Sequence, residues 1–218
     1  MLESVGGSDR SHLLQTPALR DFGPEPTLFG SDILSGTGPC ALQRIQAPYW
    51  PFIFEFQRRL DLPPEEFLKR LDSFLGGLPK EWKYAVEVRD ETLLTKAYHS
   101  VLASHGISHV YNHWTAMPSL AEQHRLLGSA FTAPFVLLRL LTPRGVAYED
   151  AVRRYKPYDQ IKAPILEMRE DTVRLAYQAV NENRRVYTLV NNRSEGSAPR
   201  TIQAIVALMH QQKELPSQ

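Results

Sequence analysis

The sequence has almost no cysteine: Cys40 is the single one among 218 residues. One cysteine excludes an intramolecular disulfide, and no Cys/His spacing typical of a structural zinc site is present. No apolar run approaches the roughly 20 residues that a membrane-spanning helix needs, and no basic segment followed by an apolar run marks a secretory signal. We therefore expect a soluble cytoplasmic protein with no membrane association.

An excess of charge of one sign is also absent, since 25 Lys and Arg face 24 Asp and Glu for a formal net charge of +1. The whole chain thus has no field that would attract nucleic acid, and any anion binding has to be local. Nucleic-acid processing stays open as an alternative that would need a local basic face. The hydrophobic content of 43% suits one globular domain with a substantial core.

Residues 1–48 lack a sustained hydrophobic period, and half of all the glycines fall before position 40. This composition predicts a loosely ordered arm. The Gly-Thr-Gly at residues 36–38 lacks the third glycine and the preceding strand of a dinucleotide-binding fingerprint. We expect one folded domain over residues 49–212 and a short tail over residues 213–218.

From residue 51 onward, short apolar runs alternate with stretches of helical period. The runs have the β-branched and aromatic content of strands, and they lie at residues 52–57, 84–89, 109–113, 135–140 and 186–190. Five consecutive strand-then-helix units imply parallel strands joined by right-handed crossovers. The predicted fold class is α/β.

Local signals mark the ends of the predicted helices. Pro63 and Pro64 open the first helix and the glycines at 76–77 end it. Ser119 and Glu122 have the spacing of a capping box. A second helix should follow from Glu91 to the glycine at 106, a long connection should span 142–164, and a further helix should cover 165–183. The inward positions of that second helix are predicted to be Leu93, Leu94, Ala97, Val101 and Leu102.

Polar side chains follow or end every predicted strand. In a parallel sheet such ends meet at one edge, where binding sites form. Alternation along the strands places several of them on one face, and the candidate site residues are Glu55, Gln57, Glu87, Arg89, Asn112, Arg139, Asn191, Asn192 and Arg193. Ordinary loop polarity is the alternative explanation.

The charged members of this set should pair with one another or with a ligand, because a buried unpaired ion is costly. We expect Glu87 to be the candidate general acid or base, with Arg89 and Arg139 clamping a small phosphate- or carboxylate-bearing ligand. A purely structural salt-bridge network is the alternative. Two glutamates on neighbouring strands also fit the carboxylate pair of a glycosidase.

Residues 191–199 form a second candidate site. A strand ends there, a glycine turn follows, and a helix should open with Ser197 as its cap, so that free backbone N–H groups and Arg193 could bind an anion. An ordinary helix cap is the alternative. We predict no metal site, because His105, His109 and His113 are spaced by four but a glycine and a strand prevent a shared helical face. The sequence does not identify a cofactor, and Tyr111 and Trp114 are expected to be packing or rim residues.

Several stretches of the chain resemble the family called domain of unknown function 72, the YecE-like proteins. They are residues 52–57, 85–89, 105–112 and 114–118, Arg139 with Tyr148, and residues 190–199. The resemblance covers roughly residues 50 to 210 and implies a TIM-like barrel with polar residues at the carboxyl ends of its strands. It implies no reaction.

The chain departs from that family at its amino-terminal end. Family members carry about three more strand and helix units ahead of Phe52, so the resemblance implies a partial, N-terminally incomplete barrel. Five parallel strands cannot close a barrel, and two sheet edges would then be open. A non-catalytic remnant, or an interaction module that associates with itself through these edges, is therefore the alternative to a ligand-binding protein.

Overall fold

The computed structural model describes residues 50–58 and 62–213. The predicted arm over residues 1–48 lies outside the described residues. So does the predicted tail over 213–218, apart from Lys213, the last residue of the final helix. In the part of the chain that is described, no helix is long and apolar enough to cross a membrane.

Five strands alternate with helices along the chain, which confirms the predicted α/β class. The strands are β1 (Phe52–Phe56), β2 (Tyr84–Val88), β3 (Ser108–His113), β4 (Phe135–Leu140) and β5 (Arg185–Val190). The helices are α1 (Pro64–Gly76), α2 (Lys96–His105), α3 (Leu120–Leu126), α4 (Tyr148–Tyr155), α5 (Leu166–Asn181) and α6 (Ala198–Lys213). A short 3-10 helix covers Glu91–Leu93.

All neighbouring strands are parallel, and their order in the sheet is β1-β2-β3-β4-β5. Strands that are consecutive in sequence are therefore neighbours in space, which is the order found in the wall of a (β/α) barrel. The register pairs Glu55 with Glu87, and Asn112 with Arg139. Because side chains alternate across a strand, each pair lies on the same face of the sheet.

The opposite face of the sheet packs on the helices and carries the main core. Phe67, Leu71 and Leu75 of α1 are almost fully buried there, and their spacing of four residues places them on one side of the helix. Tyr98 of α2 is also fully buried. Burying a side chain of this size stabilises the fold by about 1.5–3 kcal/mol.

The prediction of one continuous helix from Glu91 was wrong. The chain forms the 3-10 helix first, and α2 then begins anew, because Thr95 Oγ1 accepts a hydrogen bond from the Tyr98 backbone N–H. This restart shifts the helical phase. Ala97, predicted to face inward, is therefore exposed, and Tyr98 takes the buried position.

The other helix signals had mixed outcomes. Pro64 opens α1 and Gly106 ends α2 in the left-handed conformation, both as predicted. Ser119 caps α3 through its hydroxyl, but Glu122 binds Arg125 instead of completing the capping box. The predicted connection over 142–164 contains α4, an eight-residue helix with two buried residues, Ala151 and Tyr155.

The sheet is curved toward the face away from the main helices. Trp50, just before β1, contacts the ring of Tyr187 on β5, with 5.4 Å between ring centroids. These residues belong to opposite edges of the sheet. The inner face is lined by a small apolar cluster in which Ile53, Ala85, Val110, Phe135, Leu137 and Tyr187 take part.

Candidate functional site

Four charged side chains meet on the inner face, toward the carboxyl ends of the strands. Glu55 comes from β1, Glu87 from β2, Arg89 from the residue just after β2, and Arg139 from β4. We call these four residues the charge cluster. Glu55, Glu87 and Arg139 each lie two positions beyond an apolar residue of the inner cluster, and Arg89 lies two positions beyond Glu87. Alternation along the strands therefore places the polar layer directly above the apolar one.

Each arginine of the charge cluster contacts both glutamates. Arg89 donates from Nε to Glu87 Oε1 at 3.1 Å and lies 2.9 Å from Glu55 Oε2 through Nη2. Arg139 Nη1 donates to Glu55 Oε2 at 2.8 Å and also to Glu87 Oε2. The predicted pairing of these residues with one another is therefore present.

The glutamates differ in their exposure to solvent. The Glu87 side chain is fully buried, whereas 28% of the Glu55 side chain is exposed. Burial raises the pKa of Glu87 above its ordinary value, although Arg139 and Arg89 oppose this shift. Burial also lowers the pKa of Arg139, but the two carboxylates outweigh it and leave that pKa raised.

Arg139 Nη1 contacts both glutamates, and this contact argues against the glycosidase alternative. Because Glu55 and Glu87 both bind Arg139 Nη1, a guanidinium nitrogen fills the space between the two carboxylates. In a glycosidase that space holds the scissile bond. The arrangement favours an ion-paired cluster over a pair of carboxylates flanking a sugar.

Arg139 keeps one edge of its guanidinium uncommitted. Nη1 makes both of its ion pairs, and no hydrogen bond joins Nε or Nη2 to another residue in the described part of the chain. These two N–H groups point in parallel and form the fork that binds an oxyanion through two hydrogen bonds. With 27% of its side chain exposed, Arg139 can present this fork to a ligand.

Trp114 closes one side of the charge cluster. It follows β3, and the Arg89 guanidinium carbon lies 4.8 Å from the centroid of its ring. Such a cation–π contact holds the guanidinium in place without using its N–H groups. The predicted role of Trp114 as a packing or rim residue agrees with this position.

Asn112 ties β3 to β2 where the two strands separate. Their register extends over two residue pairs, Ala85 with Ser108 and Val86 with His109. Beyond these pairs, Asn112 Nδ2 donates to the Val88 carbonyl at 3.0 Å, and the side-chain amide of Gln123 bonds both the N–H and the carbonyl of Asn112. Side-chain amides thus replace the missing backbone ladder. No local sequence pattern indicated the role of Gln123.

A buried polar network lies behind β3, on the helix face. Tyr98 OH lies 3.1 Å from His109 Nδ1, and His109 Nε2 lies 3.4 Å from Gln123 Oε1. Burial lowers the pKa of His109 to about 3 and that of His113 to about 4, so both rings are neutral at pH 7. His105 is separate from them, at the end of α2, where it pairs with Asp72.

The second candidate site, at the start of α6, is occupied by groups of the chain itself. Asn192 Oδ1 accepts from the Ala198 backbone N–H at 2.8 Å, and Asn191 Oδ1 accepts from the Arg193 N–H at 2.9 Å. Ser197 lies at the predicted cap position, directly before Ala198, and its backbone carbonyl accepts from the Thr201 N–H at 2.9 Å. Its hydroxyl makes no hydrogen bond to any described residue, and Asn192 Oδ1 supplies the side-chain cap instead.

Glu195 is a buried carboxylate in this loop that the sequence analysis did not single out. Its side chain is fully buried and accepts hydrogen bonds from Arg169 Nε and Nη2, from the Ile165 backbone N–H and from Thr201 Oγ1. An internal anion therefore lies at the start of α6, where the sequence predicted a bound one. The loop is pinned to α5 and α6 by this carboxylate.

Among the remaining candidate residues, Asn191, Asn192 and Arg193 make no described contact with the charge cluster. Gln57 is exposed. The Arg193 guanidinium carbon lies 4.5 Å from the centroid of the half-exposed Tyr148 ring, and Arg193 Nε is buried without a partner among the described residues.

The described residues contain no metal-binding cluster, and the cavity they line lies away from the charge cluster. No group of three or more His, Cys, Asp or Glu side chains there could hold a metal ion. A cavity of about 330 Å³ lies at the amino ends of the strands, lined by Lys83, Pro134, Phe135, Asn183 and Arg185. It is at the opposite end of the sheet from the charge cluster.

The comparisons with known proteins agree with the resemblance seen in the sequence. Neither a search of the curated proteins nor a search of the solved structures found a match. A family model described as "Protein of unknown function DUF72" matches residues 40–218, which is most of the chain. Together with the five parallel strands that alternate with helices, this match shows that the chain belongs to the DUF72 family.

Proposed function

We propose that the protein binds a small anionic ligand, bearing a phosphate or a carboxylate, at the carboxyl ends of its strands. The observation that carries the proposal is the uncommitted Nε and Nη2 edge of Arg139. Two glutamates hold the other side of this guanidinium, and solvent reaches the side chain. A planar fork fixed in this way is suited to an oxyanion.

The surrounding residues support the same use of the site. Arg89 adds a second guanidinium, held by Trp114 and the same two glutamates. Preorganised donors lose little entropy when a ligand binds.

Any acid–base chemistry at the site would involve the carboxylates. Burial raises the pKa of Glu87, which suits the proposed role of proton acceptor, but the side chain is fully buried. Glu55 is the carboxylate with exposed surface next to Arg139. We therefore assign contact with the anionic group to Arg139, any acid–base chemistry with other ligand groups to Glu55, and the holding of the two arginines to Glu87.

The test is a thermal-shift screen with inorganic phosphate, sulfate, small carboxylates and phosphorylated metabolites, followed by calorimetric titration of the anions that raise Tm. Arg139→Lys is the informative variant, since it keeps a positive charge for Glu55 and Glu87 but loses the fork. We expect at least tenfold weaker anion binding, because a lysine ammonium cannot make the bidentate contact. Arg125→Lys, at an exposed pair with Glu122, is the matched control.

Two results would remove the proposal. One is that none of these anions raises Tm. The other is that Arg139→Lys, while still folded, binds them as tightly as the unchanged protein does.

A second candidate function is self-association through the sheet edges. Within the described residues, β1 pairs only with β2, and β5 pairs only with β4. Phe52 and Leu189, one on each of these edge strands, are both more than one-third exposed. Open edges favour pairing with another chain. Sedimentation velocity over a range of concentrations tests this, and a folded monomer at all of them would contradict it.

A further inference from the structure

We infer that the charge cluster takes up a proton together with its anion, and that Glu87 is the group that receives the proton. This inference rests on the proposed anion binding and adds how pH regulates that same site. It follows from the way in which the four charges are arranged.

The charge cluster is formally neutral before a ligand binds. Two carboxylates, from Glu55 and Glu87, balance two guanidinium groups, from Arg89 and Arg139. An anion on the free edge of Arg139 lies next to both carboxylates, since both contact that same guanidinium. Its arrival leaves excess negative charge in a partly buried space, where like charges repel more strongly than in water.

Neutralising one carboxylate removes that excess. Glu87 is the carboxylate for which ionisation is the more costly, because its side chain is fully buried while that of Glu55 is partly exposed. When two like charges share a site, the carboxyl that is less solvated takes the proton. Burial already raises the pKa of Glu87 in the same direction.

The groups around Glu87 leave few other proton acceptors. From β1 it faces Glu55, from the end of β2 Arg89, and from β4 Arg139. On β3 the side chains of this face, Val110 and Asn112, do not titrate. The Tyr98 hydroxyl of α2 is also nearby. Burial raises its pKa, Tyr111 and Glu87 raise it further, and the hydroxyl therefore keeps its own proton.

The test measures protons directly, with sulfate as the probe because sulfate does not itself titrate between pH 5 and 8. Calorimetric titration at pH 7 in two buffers of different ionisation enthalpy gives the number of protons taken up per sulfate bound. We expect a value above zero and up to one, and a Kd that rises with pH by up to about tenfold per pH unit. The difference between the binding enthalpies in the two buffers is measured on the unchanged protein, so the result holds even if substitutions impair folding.

Glu87→Gln should bind sulfate without proton uptake and with a Kd that no longer depends on pH. Glu122→Gln, which removes an exposed carboxylate on α3, is the matched control and should take up protons as the unchanged protein does. Sulfate binding without proton uptake by the unchanged protein would overturn this inference and leave the proposed function standing. Failure to bind sulfate or any other anion would overturn both.

Discussion

Arg139 on β4 and Glu55 on β1 are in direct contact, with 2.8 Å between Nη1 and Oε2, although β2 and β3 lie between their strands. Neighbouring strands are roughly 4.8 Å apart, so a flat sheet would keep these two positions about 14 Å from each other. The contact therefore requires the sheet to curve toward its inner face. The curvature converts polar residues on three strands into one site.

Removing Arg139 should destabilise the protein strongly. Arg139→Met keeps most of the apolar stem but leaves the fully buried Glu87 with only Arg89 as a partner. Removing one partner of a buried ion pair lowers the free energy of unfolding by about 3–5 kcal/mol, because the other charge stays buried and unpaired. Urea unfolding followed by circular dichroism measures the loss in the free energy of unfolding.

The same experiment has an internal control. Adding Glu87→Gln to Arg139→Met should recover part of the lost stability, because the unpaired buried charge is then gone. Arg125→Met, at an exposed pair, should change little. A double variant less stable than Arg139→Met alone would contradict the account of the charge cluster as an ion-pair network.

Acid should weaken the fold through His109. Burial lowers its pKa to about 3, whereas the ring in the unfolded chain has its ordinary pKa of 6.5. Between these values the unfolded state binds the additional proton, so this contribution is fully present above pH 6.5 and is lost as pH falls toward 3. We expect His109 to account for a loss of about 2 kcal/mol between pH 7 and pH 5.

Measuring the free energy of unfolding of His109→Leu at pH 7 and at pH 5 tests this. The variant starts from lower stability because Tyr98 and Gln123 lose a hydrogen-bond partner, but its further loss from pH 7 to pH 5 should be smaller by that amount. His113→Leu should reduce the loss similarly, since the pKa of His113 is lowered to about 4. Equal losses in the unchanged protein and in both variants would rule out these residues as the cause.

Gly196 should tolerate no side chain. Its φ is +119°, and a Cβ there would lie 2.4 Å from the Gln160 carbonyl oxygen. Gly196→Ala should therefore displace the backbone near residue 160 and lower Tm by many degrees. The control is Gly145→Ala, where φ is also positive but a Cβ meets open space, so the cost is limited to about 1–2 kcal/mol. Similar Tm values for the two variants would disprove the close approach.

Glu195→Gln should loosen the segment before α5. The buried Glu195 carboxylate binds Arg169, and its backbone carbonyl accepts from the N–H groups of Lys162 and Ala163. Without the negative charge Arg169 stays largely buried and unpaired, at a cost of several kcal/mol. Hydrogen exchange at residues 160–165 should speed up. Glu167→Gln, at an exposed pair with Arg144, should leave those rates unchanged.

The elements that the sequence predicted well are those governed by local pattern. Strand β4 occupies the predicted residues, and the period-two alternation correctly placed Glu55, Glu87 and Arg139 on one face. Local signals failed where a cap overrode the hydrophobic period, as at Thr95, and where a helix was short, as in α4. Tertiary contacts cannot be seen in a window of a few residues.

The polar partners of the fold were the hardest to predict. Gln123 fills the gap between β2 and β3 by bonding Asn112, and Glu195 binds Arg169 from another loop. Nothing in the spacing of these residues distinguishes them from exposed glutamates and glutamines. Their roles depend on burial, which arises only when distant elements pack together.

The sequence by itself determined the α/β class, the order of strands and helices, and the face on which each strand residue lies, because side-chain alternation and helical period are local properties of the backbone. The tertiary structure alone decided that four charged residues share a single site and that the start of α6 is occupied by Asn192 and Glu195. Those outcomes depend on sheet curvature and on how loops pack. Both are set by contacts between residues far apart in the chain.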